Sequence, residues 1–588
     1  MTGRVAGHGA WMVAAAGIAL ASPVFAQEYR SLDGTGNNLK NPLWGSNGQR
    51  LIRRTPAGYA DGFASPAGPD RPSSRLVSNL VSLQEQTQHS PRVVSNVVMQ
   101  WGQWIDHDLG FKRLASPAEP FNIPVPTGDP FFDPSSSGTA ALSFTRSRYD
   151  PASGTGPGNP RQQVNSVSSY IDSHTVYGWN AGRAATLRSF QGGRLAVQTG
   201  DIIPWNTALE PMDTSPFGVN PLAQVLLAGD DRANTTILLL SMHTLWVREH
   251  NRLCAVLAAA NPSWDDEKLY QEARRRVIAL NAHVTFNEYL PAILGKTAVP
   301  PYGGYNDRVN ATQSNEFAHA AFRFGHSQIN QLIARLEENG FSIPQGAVRM
   351  RDQFFTPEKL FDDGGIDPIF RGMAFQPIQK VDFRITFDVR NFLYGPPDLL
   401  GLDLASFNIQ RGRDHGLASY TQARVALGLP PVTSFSQVSA DPLVAQRLAA
   451  AYGNIDQVDL WVGGLCEDAV PGSMLGPLFH AIVRDEFLRV RTGDRLWFEN
   501  GQFSAAELAE IKGTMFSDVI LRNTGIARVQ RNVFHVWPDI DLNNVLSVAD
   551  FGTFQNHWVK GDLNCDFNKD GVLTIDDFLA FEIAFASY

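Results

Sequence analysis

The chain has 588 residues, 43% hydrophobic and 18% charged, with 49 Lys+Arg against 58 Asp+Glu and a formal net charge of −9. That composition supports a large buried core and excludes wholesale disorder; the acidic balance excludes a duplex nucleic-acid binder, which needs a basic footprint. The three cysteines, Cys254, Cys466 and Cys565, allow at most one bridge and exclude a disulfide framework.

At the N-terminus Arg4 precedes an apolar run from Ala10 to Leu20 and then Ser22-Pro23-Val24-Phe25-Ala26. This pattern predicts a signal peptide over 1–26 and a secreted protein starting at Gln27. The run is shorter than the ~20 apolar residues a membrane span needs. Residues 27–75 lack sustained periodicity and read as an N-terminal arm. Helix signals begin after Ser90-Pro91, with Val94, Val97, Trp101 and Trp104 spaced three and four apart. Nine prolines between Pro117 and Pro160 predict irregular wrapping. A helix is expected from about Asp231 to Ala260, with Leu239, His243, Trp246 and His250 along one stripe. Another follows Ser263, whose spacing to Asp266 resembles a capping box, and buries Leu269, Ala273, Val277, Leu280 and Val284. A further helix is expected to carry Phe322, His326, Ile329 and Ile333. The body is therefore mainly α.

The last fifty or so residues, 537–588, contain a repeat. Asp539, Asp541, Asn543 and Asp550 recur 27 residues later as Asp566, Asn568, Asp570 and Asp577, and Phe551, Phe554 and Trp558 recur as Phe578, Phe581 and Phe585. Oxygen donors at loop positions 1, 3, 5 and 12 suit Ca²⁺. The second loop has glycine (Gly571) at position 6, whereas the first has Asn544. With Asp at position 12 and no clear helix before each loop, the pair resembles dockerin modules, which implies a cohesin-like or cell-surface scaffold partner.

Chemistry concentrates in four segments. In Trp101-Gly102-Gln103-Trp104-Ile105-Asp106-His107-Asp108, helical spacing puts Gln103, Asp106 and His107 on one face. The others are Asp231-Arg232-Ala233-Asn234 leading into Met242 to Arg252, Phe322-Arg323-Phe324-Gly325-His326, and Phe407 to Gly416 with Asn408, Arg411 and His415. In this order, over roughly residues 27–530, the four segments resemble the animal-type haem peroxidases of the peroxidase–cyclooxygenase superfamily, most closely peroxidasin-like members.

The resemblance implies a large helical domain around haem b and reduction of H₂O₂ through a ferryl state, at the expense of a halide, thiocyanate or phenol. It makes His326 the proximal iron ligand, with Asn408 accepting its ring N–H, Arg323 a haem-propionate partner, and Arg411 near the macrocycle. His107, Gln103 and Arg232 become the distal set, with His107 as acid and base. Asp106 matches a carboxylate that esterifies a haem methyl, but Thr235 and Thr236 replace the residues for further links, so one ester or none is expected. Asp108, Ser168, Tyr170 (through its carbonyl) and Asp172 match a Ca²⁺ site whose last hydroxyl residue is here His174, a poor Ca²⁺ ligand. His243, His250 and His415 read as structural. A fatty-acid oxygenase of the same superfamily is disfavoured because its radical tyrosine, three residues before the proximal histidine, is Arg323 here. A surface adhesion or scaffold protein with an inactive haem domain is the remaining alternative.

Overall fold

The computed structural model describes residues 29–586 except 219–220, 339, 396–400, 542, 544, 563–564 and 568–571. The expected signal peptide thus lies outside the described residues, as do Asn568 and Asp570 of the second repeat loop. Helices dominate, as expected. Among the described residues the strands are two short antiparallel pairs, Ile123–Pro124 with Ala141–Leu142 and Leu332–Ile333 with Val348–Arg349. One continuous apolar core joins elements from Val77 to Phe534.

The helix that bears the first chemical segment runs Asn96–Leu109 and is capped by the Ser95 side chain, which accepts from Val97 N. Its start is later than Ser90-Pro91 suggests. Val93 takes a positive φ of 50°, and the chain around it pairs instead with distant segments, Val94 with His535 and Ser95 with Pro377. Val97, Val98, Trp101, Trp104 and Ile105 are buried, whereas Gly102, Gln103 and Asp106 stay partly accessible inside the body.

Against it pack Ile237–Ala260 and Asp266–Val284. The first begins at its Thr236 cap rather than at Asp231, because residues 233–235 form a separate 3₁₀ turn. The second is capped by Asp265, not Ser263. It buries Leu269, Ala273, Val277, Leu280 and Val284 as expected, and then widens into a π turn, Thr285–Tyr289. The segment around His326 departs more. Residues Ala321–Gln328 are 3₁₀-helical, Ile329 is extended and Ile333 lies in a strand. Its three- and four-residue apolar spacing marks burial from two successive conformations.

The arm is irregular up to the helix Ser74–Val81, and Arg75 anchors it. This side chain is fully buried and reaches Asp129 and Asp403 at 2.8 Å each, plus the Arg390 carbonyl and Asn391 Oδ1. Asp403 also caps the helix Leu404–Asp414, which carries Asn408. The three cysteines are buried and unbridged.

In the tail, helices Val548–Val559 and Ile575–Ala586 share a small core of Phe554, Cys565 and Phe581. Arg75→Ala would strand two buried carboxylates and is expected to cost about 3–5 kcal/mol. A lower urea midpoint than that of the parent chain checks this.

Candidate active site

Where these elements meet, the body holds a cavity of about 150 Å³. The helix Asn96–Leu109 contributes Gln103, Asp106 and His107. The 3₁₀ segment contributes Arg323, Gly325 and His326. Thr235 and Thr236 come from the turn before Ile237, and Tyr289 from the π turn. Phe322, Met350, Phe354, Leu393 and Tyr394 make much of the remaining wall apolar. The structure therefore gathers Gln103, Asp106, His107, Arg323 and His326 on one cavity.

Burial pulls the His326 ring down to about 3, with Arg323 adding to the effect. His107 is held well below its ordinary value by burial and by Arg232. Both rings are thus neutral at neutral pH. Asn408 lies behind His326, its Nδ2 2.7 Å from His326 Nδ1, while its Oδ1 accepts from Arg323 at 2.8 Å. The expected pairing has the ring donating to Asn408. Turning the amide over restores it and releases Arg323 from its acceptor.

Two other expected residues stand back from the cavity. The Arg232 guanidinium holds both oxygens of Asp230, at 2.8 and 2.6 Å, and donates to the carbonyls of His107 and Gly110 at 3.0 Å each. It lies over the Phe111 ring. Arg411 is drawn off by the Thr145 carbonyl, Ser147 and Asp414, and stacks on Phe144.

Asp230 was not among the sequence candidates, although it sits two residues before Arg232. Its Oδ1 lies 3.6 Å from His107 Nδ1 and its Oδ2 3.4 Å from His174 Nε2. Although burial opposes it, Arg232 and His174 hold Asp230 well below the carboxylate range. Tyr289 and Tyr394 were also missed. No local signal marks them, since a π turn and a positive φ of 62° bring them to the wall.

The expected Ca²⁺ set converges, but His174 lies within it. Ligand atoms of Asp108, Asp172 and His174 fall within 4.8 Å of one another. His174 Nδ1 is 3.3 Å from Asp108 and 3.8 Å from Asp172, the Ser168 hydroxyl donates to Asp172, and the Tyr170 hydroxyl to the Trp44 carbonyl. Burial notwithstanding, hydrogen bonds to Asp172 and Asp230 push the His174 ring up to about 10. Asp108, Asp172 and Asp230 thus surround the His174 ring at the place where the Ca²⁺ set is expected.

His243, His250 and His415 sit in buried hydrogen bonds. His243 meets the Thr175 carbonyl, His250 meets Tyr177 and Gly193, and His415 meets Asn315 and Ser147.

In the tail, ligand atoms of Asp539, Asp541 and Asp550 also lie within 4.8 Å of one another. Asn543 closes the turn onto Asp539 and Asp541. Asp566 and Asp577 are buried, and Asp566 pairs with Arg528.

Comparison with known proteins gives this cavity a context. The sequence model described as Animal haem peroxidase matches residues 29–534. Peroxinectin A of Dictyostelium discoideum is 37% identical over 87% of this chain and 96% of its own length. The peroxidasin homolog of Mus musculus is likewise 37% identical, but only 38% of its length is covered, and thyroid peroxidase of Sus scrofa is 34% identical with 64% covered. Among solved structures, peroxidase A from Dictyostelium discoideum superposes with a TM-score of 0.81 at 35% identity, covering 87% of this chain and all of that one. A fatty acid alpha-dioxygenase of Arabidopsis thaliana, at 18% identity and a TM-score of 0.73, covers 87% and 83% and shares the fold.

If the His174 ring takes the cation's place, His174→Ser is expected to bind one more Ca²⁺ per chain than the parent. Equilibrium dialysis of the two full chains reads this directly, and equal counts contradict it.

Proposed function

Because the chain belongs to the animal haem peroxidase family, we propose that it is an exported enzyme that reduces hydrogen peroxide and oxidises a small donor such as a halide, thiocyanate or phenol. The observation that carries this reading is a pair of buried, neutral imidazoles, His107 and His326, on one mostly apolar cavity. The residues present fit haem. His326, backed by Asn408, would hold the iron through a ring nitrogen, and Arg323 on the same wall would meet a propionate. When bound, the haem supplies the iron and the oxidising equivalents.

The chain's own residues manage the proton. With Nδ1 turned toward Asp230, His107 uses its other ring nitrogen to take a proton from peroxide and return it to the leaving oxygen, which departs as water. Arg232 acts from behind. By gripping Asp230 and the His107 carbonyl it fixes the ring, and it keeps the nearby carboxylate matched. Gln103 offers an amide to the small molecule beside His107.

Asp106 is positioned to link the haem. Burial raises its carboxyl above the usual range, and joining its oxygen to a haem methyl would release two protons and two electrons, which one hydrogen peroxide would take up to leave two waters. Thr235 and Thr236 line the same wall without a second carboxylate or a thioether. One ester or none is the reading these side chains support.

Arg323 in place of tyrosine sets the chain apart from a tyrosyl-radical oxygenase. Export rests on the pattern in residues 1–26, and no helix among the described residues is long and apolar enough to cross a membrane. The tail is read as a Ca²⁺-loaded, dockerin-like module through Asp539, Asp541, Asn543, Asp550, Asp566, Asn568, Asp570 and Asp577, serving attachment to a scaffold.

His107→Ala is expected to lower the rate of the peroxide step about 10²–10⁴-fold while the Soret band persists, measured by stopped flow. Since folding depresses the His107 pKa, the base form is present across neutral pH, and that rate should stay flat there and fall only in acid. A bell centred near pH 6.5 contradicts the assignment. Mass spectrometry of digested holoprotein should find at most one haem–peptide ester, absent in Asp106→Asn.

A further inference from the structure

Lys112 lies three residues beyond the Asn96–Leu109 helix and is mostly withdrawn from solvent. Its ammonium donates to Gln313 Oε1, a neutral acceptor. Both groups crowd Gly110, where a Cβ would collide with the ammonium and the amide together, so the glycine is what admits them. Arg323 is similarly placed. Its acceptors are the Ala318 carbonyl at 3.1 Å, Asn408 Oδ1 at 2.8 Å and His319 Nδ1 at 3.1 Å.

Neither cation forms an ion pair among the described residues. The nearby acids are committed elsewhere: Asp230 to Arg232, Asp414 to Arg146 and Arg411, and Glu486 to Arg489 and Ser314. Asp106 is the exception, and an ester would remove its charge. Two polar donors beside these cations are also buried without a partner, Gln313 Nε2 and His319 Nε2.

Unmatched charge in a water-poor interior is costly, and proteins pair it. The strain is visible in both cations. Burial, with Arg232 and Arg323 adding to it, brings Lys112 down to about 7, and burial brings Arg323 down to about 10. Two cations without an ion pair, near the single free carboxylate of Asp106 and beside two idle donors, are an arrangement suited to anions. Haem carries two carboxylates.

We propose that Lys112, held by Gln313 beside Gly110, receives one haem propionate while Arg323 receives the other. This rests on the haem reading above and assigns the chain a cofactor-anchoring residue that the four sequence segments do not contain. Two cations of different shape, on different segments, also fix which way round the macrocycle sits. Arg323 offers a planar fork, and Lys112 a point charge.

The test uses ferric holoprotein of the full chain. The Soret band reports whether haem is present at all, which separates failure of the haem reading from failure of this assignment. In Lys112→Gln, a propionate-bending band in the resonance Raman spectrum is expected to shift. The ferric/ferrous midpoint is expected to fall, because a positive charge near the ring favours the reduced iron. Lys112→Arg should restore both, and Arg323→Gln should move the other propionate band. None of these readouts depends on whether the haem is ester-linked. Should Lys112→Gln not accumulate, Gln313→Leu, which keeps the charge and removes its holder, is expected to shift the same band by less. Unmoved bands and midpoint in a haem-loaded Lys112→Gln, or in Gln313→Leu where that variant replaces it, overturn the assignment. A change confined to the affinity for added halide also overturns it, since it would assign Lys112 to a small anion instead.

Discussion

The structure depends on keeping two imidazoles uncharged in a cavity that has Arg323 on its wall and Arg232 close behind. Burial does most of this for His107 and His326, with Arg232 and Arg323 adding to it, and the cost reappears at their neighbours. Arg232 would repel a protonated His107 and is itself tied to Asp230. Asp230 is in turn shared with His174, whose ring leans on Asp108 and Asp172. The His107 side is thus one electrostatic chain from the cavity surface to a buried carboxylate cluster. Its order sets the side of the His107 ring that faces the cavity.

The same logic organises the scaffold at large. Without bridges, the long irregular stretches are held by buried charged clusters. Arg75 joins the arm to the helix behind His326 through Asp403. Asp459 gathers Arg71, Arg413 and Tyr452. Glu486 takes Ser314 and Arg489. Each cluster links residues far apart in sequence. Breaking any one exposes an unmatched charge rather than merely losing a contact.

What was legible in the sequence follows from range. Gln103, Asp106 and His107 were readable because helical spacing alone puts them on one face, and the buried face of Asp266–Val284 was readable for the same reason. Around His326 the three-four spacing suggested an α-helix, yet the backbone is 3₁₀ and then extended, because burial on successive segments mimics a helical stripe. The placements of Arg232 and Arg411 were not legible. A long side chain goes to its best acceptor, and those acceptors, Asp230 and Asp414, compete with the cavity. His174 and Lys112 were illegible in a deeper sense. Their character lies in which charges surround them or fail to, and that is a property of segments brought together from across the chain. The repeat in the tail was plain because its two copies are adjacent.

The three cysteines bear on durability. Cys254, Cys466 and Cys565 are all sealed in packed interiors, and burial pushes the thiols of Cys254 and Cys565 up to about 12. A thiol in that state is scarcely ever a thiolate, and only the thiolate is attacked readily by peroxide. A protein that works in contact with an oxidant therefore offers it no easy foothold of its own sulfur. With no bridge to close, its assembly is also indifferent to the redox state of the compartment in which it folds.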